Sequence, residues 1–250
     1  MKILLVNDDG YTSKGIRGLA KALSLKNHEV TVLAPVKCNS GMAHAMTFYK
    51  DLYLKKIENP DENYDCYSFS ATPADCVKLG TELMASNPPD LVISGINNEP
   101  NIGTTIVYSG TAAAAMEGSL LGFKSIAVSG NPENDDDFDY IIKFFVDNLD
   151  YYLSLCSLDY ALNININNQK IGNLGHKITP IGVRIYSDIY LVGEGNEHGI
   201  PHKLVGNPLP VENAPDCDVS WFEKGYATIT PLTSDHTSFT ALESLKKMVE

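Results

Sequence analysis

Apolar and polar positions follow two different periods along the first half of the chain. Short runs of consecutive apolar residues, beginning with 2–7 (KILLVN), are typical of strands that are buried on both faces of a sheet. Between these runs the apolar residues recur every three or four positions, as in 14–25, which predicts amphipathic helices. The alternation of the two patterns predicts a parallel sheet that is covered by helices on both faces.

The pattern changes at about residue 160. Before it, the predicted strands are 2–7, 29–34, 47–57, 64–70, 90–94 and 125–129. The predicted helices there are 14–25, a helix that starts at Pro73 with Thr72 as N-cap, a helix over 109–122 with Ser109 as N-cap, and 138–155. After it, strands at 160–166, 178–186 and 226–231 are joined by loops rich in Gly, Asn and Pro, with little helix before the last dozen residues. We therefore predict one domain over 1–250. Its three-layer α/β/α core spans about 1–160, and about 160–250 completes the sheet and adds a β-rich extension.

Composition excludes several classes of protein. No apolar stretch approaches the roughly 20 residues that a membrane span requires, and the apolar run before Asp8 is too short for a signal peptide. We therefore expect a cytoplasmic protein without a membrane partner. Five cysteines without a C-x-x-C motif argue against a disulfide framework or a zinc site. The net charge of −12 argues against a DNA or RNA duplex as partner, and an anionic substrate would need a local cation.

Small polar residues follow several of the predicted strands and open one helix. Because ligands of parallel α/β sheets bind beyond the carboxyl ends of the strands, these residues are candidates for one site. They are Asn7-Asp8-Asp9-Gly10, Ser40-Gly41, Ser94-Gly95-Ile96-Asn97-Asn98 and Ser109-Gly110-Thr111. Carboxylate, hydroxyl and amide oxygens are suited to Mg²⁺, Mn²⁺ or Ca²⁺. The helix start at 109–111 offers N–H groups and a positive dipole end, which favour phosphate.

Each of these motifs also has a structural explanation when it is taken alone. Asp-Asp-Gly after a strand is usually a turn and a helix cap, Ser40-Gly41 is an ordinary loop, and Ser109 is a plain N-cap. The functional interpretation depends on their convergence at one edge of one sheet. A metal beside a phosphate cradle indicates phosphoryl chemistry.

Six motifs resemble, in order and spacing, those of the SurE family of survival-protein nucleotidases. They are ILLVNDDG, NSG, TPADCV, PDLVISGIN, PNIG and YSGTAAAAMEG, which lie between residue 1 and about 130, with a weaker match at 225–235 (GYATITPLTSD). The resemblance implies metal-dependent hydrolysis of nucleoside 5′-monophosphates, and leaves 3′-monophosphates and short polyphosphate open as further substrates. It also implies a Rossmann-like fold whose β-rich arms are exchanged in a homodimer or homotetramer.

The same resemblance implies roles for individual residues. One divalent cation per subunit (Mg²⁺, Mn²⁺ or Ca²⁺) would be held by Asp8, Asp9, Ser40 and Asn97. The substrate phosphate would be held by Asn101, Ser109, Gly110 and Thr111. The catalytic residues would be Asp8, Asp9 and Asp235, the last matching a family aspartate near the reacting group. Related members carry a histidine four residues beyond that aspartate, where this chain has Phe239.

The residues leave the chemical route and two rival functions open. Asp8 or Asp9 could accept the proton of an attacking water, or one of them could attack phosphorus directly. A receiver-type signalling module also binds Mg²⁺ at an acidic pair, but it needs a phosphorylatable Asp where this chain has Ser94 and Asn97. A nucleotide-binding domain without catalysis is favoured by Phe239. A haloacid-dehalogenase-type phosphatase needs Asp-x-Asp, which Asp8-Asp9-Gly10 does not supply.

Overall fold

The strands of the protein were assigned in a computed structural model that describes residues 1–58 and 63–249. In chain order they are β1 (Lys2–Val6), β2 (Glu29–Pro35), β3 (Leu54–Ile57), β4 (Asp65–Phe69), β5 (Leu91–Asn97), β6 (Ser125–Gly130), β7 (Ala161–Ile166), β8 (His176–Ile178), β9 (Ile185–Tyr186), β10 (Ile189–Val192), β11 (His202–Val205), β12 (Pro208–Leu209) and β13 (Ala227–Leu232). Within the described chain, nine of them form one sheet in the order β3-β4-β2-β1-β5-β6-β7-β13-β8. Both halves of the sequence therefore contribute strands to one sheet.

The direction of the strands determines where the polar loops meet. The neighbours from β4 through β2, β1, β5 and β6 to β7 all run parallel. β3 is antiparallel to β4, and β13 is antiparallel to β7. The carboxyl ends of β1, β2 and β5 consequently lie at the same edge of the sheet, as the sequence predicts.

Helices cover both faces of this sheet. They are α1 (Lys14–Leu25), α2 (Pro73–Leu83), α3 (Gly110–Leu120), α4 (Asp135–Asp147), α5 (Leu149–Leu155), α6 (Asp218–Glu223) and α7 (Phe239–Val249), with a 3-10 helix at Gly103–Tyr108. Ile3 and Leu5 of β1 pack in one core with α1, α4 and α5, while Leu4 and Val6 pack in a second core with α2 and α3. Because alternate residues of β1 enter opposite cores, the three-layer α/β/α prediction is confirmed.

Two predicted helix caps are also confirmed. The Asp75 N–H donates to Thr72 Oγ1 at 3.2 Å and the Thr72 N–H donates to Asp75 Oδ2 at 3.1 Å, which makes a reciprocal capping box before α2. Ser109 Oγ accepts from the Ala112 N–H at 3.1 Å at the start of α3. Each cap satisfies N–H groups that the first helical turn leaves without an acceptor.

Several predicted boundaries were wrong. The strand predicted over 47–57 is confined to Leu54–Ile57. The single strand predicted over 178–186 is two short strands, β8 and β9, with irregular backbone between them. The helix predicted over 138–155 begins earlier, at Asp135, and is divided at Asn148, whose side chain donates to the Phe144 carbonyl and ends α4. The short helix α6 was not predicted.

The β-rich extension lies largely outside the cores. β10 pairs with β11 and β9 pairs with β12, both antiparallel, and these strands are mostly exposed. Helix α7 follows β13, and from Phe239 to Val249 it contains no buried residue. Among the described helices, none is both long and apolar enough to cross a membrane.

Candidate metal and phosphate site

A cavity of about 360 Å³ opens at the carboxyl edge of the parallel strands. Its walls come from the ends of β1 and β5, the loop after β2, the segment before α3 and the extension. The described lining residues are Asp8, Asp9, Cys38, Ser40, Gly41, Asn97, Asn98, Glu99, Pro100, Asn101, Thr105, Tyr108, Ser109, Arg184 and Tyr186. The structure thus brings together all four predicted metal ligands and two of the four predicted phosphate ligands.

The turn after β1 is built to present two carboxylates. Asn7 is fully buried, and its side-chain N–H₂ donates to the Gly10 carbonyl at 3.0 Å and to Ser13 Oγ at 2.8 Å. Gly10 adopts a φ of 99°, in the region that favours glycine. Asn7 and Gly10 together fix the turn, so that Asp8 and Asp9 remain at the edge of the sheet.

Both carboxyl groups have raised pKa values. Burial raises the pKa of Asp8 even though Thr111 donates hydrogen bonds to it. Burial, and then the neighbouring charge of Asp8, raise the pKa of Asp9 to about 6. Two carboxylates that are costly to ionise side by side become favourable when a cation neutralises them.

The other two predicted metal ligands are neutral oxygen donors on separate loops. Ser40 lies in the exposed loop after β2, which is tied to the first strand because the Asn39 N–H donates to the Asp8 carbonyl at 2.7 Å. Asn97 ends β5 after an irregularity in its pairing with β6, and its Nδ2 donates to the Glu99 carbonyl at 2.7 Å. This hydrogen bond fixes the orientation of the Asn97 amide, whose Oδ1 carries the lone pairs that suit a hard cation.

The N-terminus of α3 contacts the acidic pair directly. Thr111 is buried, and its hydroxyl donates to Asp8 Oδ1 at 2.7 Å while its N–H donates to Oδ2 at 3.2 Å. A Cβ atom on Gly110 would lie 2.9 Å from the Asp8 Cβ, so only glycine permits this approach. Gly110 and Thr111 therefore act on Asp8 in this structure, and their role toward phosphate stays a prediction.

Asp235 is placed differently from the other predicted residues. Because β13 is antiparallel to β7, its chain leaves the sheet away from the carboxyl edge of the parallel strands. Asp235 follows β13, is exposed, and is not among the described residues that line the cavity. Hydrogen bonds from Thr237 lower the pKa of Asp235, so the group is a charged surface carboxylate in a single chain. Phe239 opens α7 and is likewise exposed.

The donor set fits a hard divalent cation. No group of three or more His, Cys, Asp and Glu side chains is arranged for a metal within residues 1–58 and 63–249. The predicted set contains two carboxylates, a hydroxyl and an amide, all oxygen donors, which suits Mg²⁺, Mn²⁺ or Ca²⁺ and not zinc. The raised pKa values of Asp8 and Asp9 mean that a nearby cation would stabilise their ionised forms.

Comparison with known proteins identifies the family of this chain. Residues 3–188 match the family described as survival protein SurE. This chain belongs to the SurE family. A curated relative named 5′-nucleotidase SurE from Pseudothermotoga lettingae is 39% identical, with 99% of this chain and 95% of the relative aligned. A relative of the same name from Clostridium beijerinckii is 38% identical over the full length of both chains. A crystal structure of the SurE protein from Aquifex aeolicus covers both chains completely, with a TM-score of 0.82 and 35% identity.

Asn101, one of the predicted phosphate ligands, is hydrogen-bonded to residues that sequence reasoning missed. Asn165 on β7 accepts from the Asn101 N–H at 2.8 Å and donates to the Asn101 carbonyl at 3.2 Å. Asn163 donates to the same carbonyl at 2.8 Å, and Ser129 accepts from the Asn101 side chain at 2.8 Å. The available signal was the polar alternation of β7 (ALNINI), which is unusual in a strand that is buried on both faces.

The extension also contributes to the site, which was not predicted. Arg184 and Tyr186 line the cavity opposite the strand ends, and Tyr108 adds a second aromatic ring beside them. Arg184 follows Asn101 by more than 80 positions in a loop-rich region, so spacing alone gave no indication of their proximity.

Proposed function

We propose that this SurE-family chain is a 5′-nucleotidase, a metal-dependent phosphohydrolase that removes phosphate from nucleoside 5′-monophosphates. The observation that carries this proposal is the contact between the acidic pair and the N-terminus of α3 through Thr111 and Asp8 at 2.7 Å. A carboxyl group suited to a cation therefore lies beside a helix N-terminus, and helix N-termini favour phosphate. The printed name of the relatives, 5′-nucleotidase SurE, supports the same activity.

Asp8, Asp9, Ser40 and Asn97 would hold one divalent cation per subunit, and Mg²⁺, Mn²⁺ and Ca²⁺ all fit the oxygen donors. When bound, such an ion supplies Lewis-acid polarisation of a phosphate oxygen and of water. The four ligands come from three separate segments, so the site depends on the folded sheet.

The protein's own groups would bind and orient the phosphate. Asn101 is held in place by Asn163, Asn165 and Ser129, and Ser109 presents its side chain at the cavity wall. With Gly110 and Thr111 they surround the positive end of α3. Fixed donors of this kind stabilise charge that develops during phosphoryl transfer without reorganising.

Asp9 is the better proton acceptor of the pair. Both oxygens of Asp8 already accept hydrogen bonds from Thr111. Asp9 also lines the cavity, and Thr111 does not donate to its oxygens, so we assign the role of general base to Asp9. In this assignment Asp9 takes the proton of the attacking water. Direct attack of an aspartate on phosphorus is the other route, and trapping of a phospho-enzyme would reveal it.

We also propose that the protein is a homodimer or homotetramer in the cytoplasm. Helix α7 exposes Phe239, Leu242, Leu245 and Met248, and the hairpin β10–β11 exposes Ile189, Tyr190, Leu191 and Val192. Exposed apolar residues of this extent are typical of protein interfaces. Asp235 lies in the connection to α7, so its proposed catalytic role requires that this segment reaches a cavity, either its own or that of a second copy.

Phosphate release from AMP tests the proposal. Purified protein is assayed with Mg²⁺, Mn²⁺ or Ca²⁺ and with EDTA, and 3′-AMP and short polyphosphate are compared as substrates. We expect release with at least one cation and none with EDTA. Nucleotide binding without release would favour the non-catalytic alternative. A phosphoryl group that persists on the protein would favour the signalling alternative.

A further inference from the structure

The cavity combines several negative side chains with a single positive one. Asp8, Asp9 and Glu99 line it, and Arg184 is the only Lys or Arg among its described lining residues. The whole chain carries a net charge of −12, so its general field repels an anionic substrate. The placement of one arginine in this cavity is therefore the feature to explain.

Arg184 is held at the cavity by its backbone. Thr104 Oγ1 donates to the Arg184 carbonyl at 2.5 Å, and the Arg184 N–H donates to the same Oγ1 at 3.1 Å. A Cβ on Gly103 would lie 2.9 Å from the Arg184 Cγ, so the stem of the arginine packs against a position that must lack a side chain. The backbone of Arg184 is thus fixed to the loop that follows Asn101.

A buried carboxylate reinforces this attachment. Asp218 of α6 is fully buried, and its Oδ2 accepts from the Gly103 N–H at 2.9 Å while its Oδ1 accepts from the Gly182 N–H at 2.6 Å. One side chain therefore joins the Asn101 loop to the segment that carries Arg184. Charge-assisted hydrogen bonds of this type are among the strong ones in proteins.

The guanidinium group itself has no partner that satisfies its charge. In the part of the chain that the structure describes, it makes no ion pair and no hydrogen bond, and its aromatic neighbour is Tyr186, whose ring centroid lies 5.9 Å from Cζ. Five N–H donors therefore remain available beside a cavity. A fixed backbone with a free guanidinium is the arrangement expected of a ligand-binding arginine.

We propose that Arg184 is a substrate-binding residue that recognises the phosphate group of the nucleotide, a role that rests on the proposed function. With the proposed divalent cation bound, Asp8, Asp9 and Glu99 in their ionised forms would leave the cavity with one net negative charge, which Arg184 would offset. Its planar fork matches two phosphate oxygens at once, which a lysine cannot do. The ribose and base lie toward the rings of Tyr108 and Tyr186.

Competitive inhibition separates this role from a structural one. The test variants are Arg184→Gln and Arg184→Lys, and Arg17→Gln is the matched control. Arg17 is the other arginine of the chain and is exposed on α1, so its loss changes the net charge equally without touching the cavity. AMP hydrolysis is measured with Mn²⁺, with inorganic phosphate or adenosine as inhibitor, and thermal unfolding verifies that each variant folds.

We expect Arg184→Gln to raise the KM for AMP and the inhibition constant of phosphate by roughly tenfold to a hundredfold. The inhibition constant of adenosine should change by less than about twofold, since adenosine lacks the phosphate. Arg184→Lys should raise the same two constants by an intermediate amount. Because lysine keeps the aliphatic stem that packs on Gly103, this variant serves as the test if Arg184→Gln folds poorly. Arg17→Gln should resemble the wild type.

Two results would overturn the proposal. One is an unchanged inhibition constant for phosphate in folded Arg184 variants. The other is an increase in the inhibition constant of adenosine without one for phosphate, which would show that Arg184 binds the nucleoside. If the wild type does not hydrolyse AMP, the proposed function fails separately. Calorimetric titration of the Mn²⁺-loaded protein with inorganic phosphate then decides the role of Arg184, because binding must weaken in Arg184→Gln and not in Arg17→Gln.

Discussion

Thr111 donates to both oxygens of Asp8, through its hydroxyl at 2.7 Å from Oδ1 and its N–H at 3.2 Å from Oδ2. The two residues are 103 positions apart in the chain. Thr111 thus joins the turn after the first strand to the start of helix α3. The orientation of the metal-ligand candidate and the position of the phosphate cradle are therefore coupled.

Thr111→Val should impair the site more than the fold. The variant keeps the shape of the side chain and the backbone N–H bond but removes the hydroxyl that orients Asp8. We expect activity and Mn²⁺ affinity to fall by roughly tenfold to a hundredfold, as when an outer-shell partner of a metal ligand is lost. Thr111→Ser keeps a hydroxyl and should retain most of both. Equal losses in the two variants would show that the hydroxyl is not the relevant group.

Asp8→Asn should remove activity while leaving the metal-free fold at least as stable at neutral pH. Burial raises the pKa of Asp8, so its ionised form is unfavourable in the fold and the neutral amide avoids that cost. Mn²⁺ at a hundred times its dissociation constant should stabilise the wild type by about 2.7 kcal/mol. The same Mn²⁺ concentration should leave the thermal unfolding of Asp8→Asn nearly unchanged. A fully active variant would show that the cation lies elsewhere.

Asn165→Ala should weaken substrate binding through Asn101. The substitution leaves the partly buried N–H of Asn101 without its acceptor and its carbonyl with one donor fewer, which costs about 1–2 kcal/mol of stability. We expect the KM for AMP to rise, because Asn101 no longer has a fixed position. Asn87→Ala, in the exposed loop before β5 at the opposite edge of the sheet, is the control and should leave the KM unchanged and the melting temperature nearly so. A normal KM in folded Asn165→Ala would limit this residue to a structural role.

His176 should make the fold less stable in mild acid. Its Nε2 lies 2.9 Å from the Tyr152 hydroxyl, among the rings of Phe144 and Tyr151, and burial lowers the pKa of His176 below its ordinary 6.5. The unfolded chain therefore binds a proton at a higher pH than the folded one. The stabilising effect of the neutral ring is complete above about pH 6.5 and is lost as the pH falls through the lower folded pKa.

The difference between wild type and His176→Gln isolates this titration from those of other groups. Between pH 8 and pH 5, the melting temperature of the wild type should fall more steeply below pH 6.5 than that of His176→Gln. Parallel curves for the two proteins would contradict the assignment.

The part of the site that lies on parallel strands could be predicted from the sequence. Asp8, Ser40 and Asn97 follow β1, β2 and β5, and parallel strands place such residues at one edge whatever their sequence separation. The family motifs pointed to the same region. The fold class and the SurE resemblance were both confirmed, whereas the metal and phosphate roles stay predictions.

The remainder depends on contacts that local patterns do not encode. Asn163 and Asn165 alternate with apolar residues and suggest a half-exposed strand, yet both are fully buried because they bind Asn101. Arg184 lies in an irregular region, which Thr104 and Asp218 attach to the loop after Asn101. Helix α4 ends at Asn148 because the Asn148 side chain donates a hydrogen bond to the Phe144 carbonyl. The spacing of apolar residues gives no indication of such a bond.

In the proposed oligomer, helix α7 makes protein concentration a thermodynamic variable. An isolated helix of 11 residues is marginal in water, and α7 gains nothing from the cores because none of its residues from Phe239 to Val249 is buried. In the proposed oligomer, a second copy of the chain supplies the surface that supports its folded state. Dilution should melt this terminal segment before the sheet, so that the chain would unfold in two stages at low concentration and in one at high concentration.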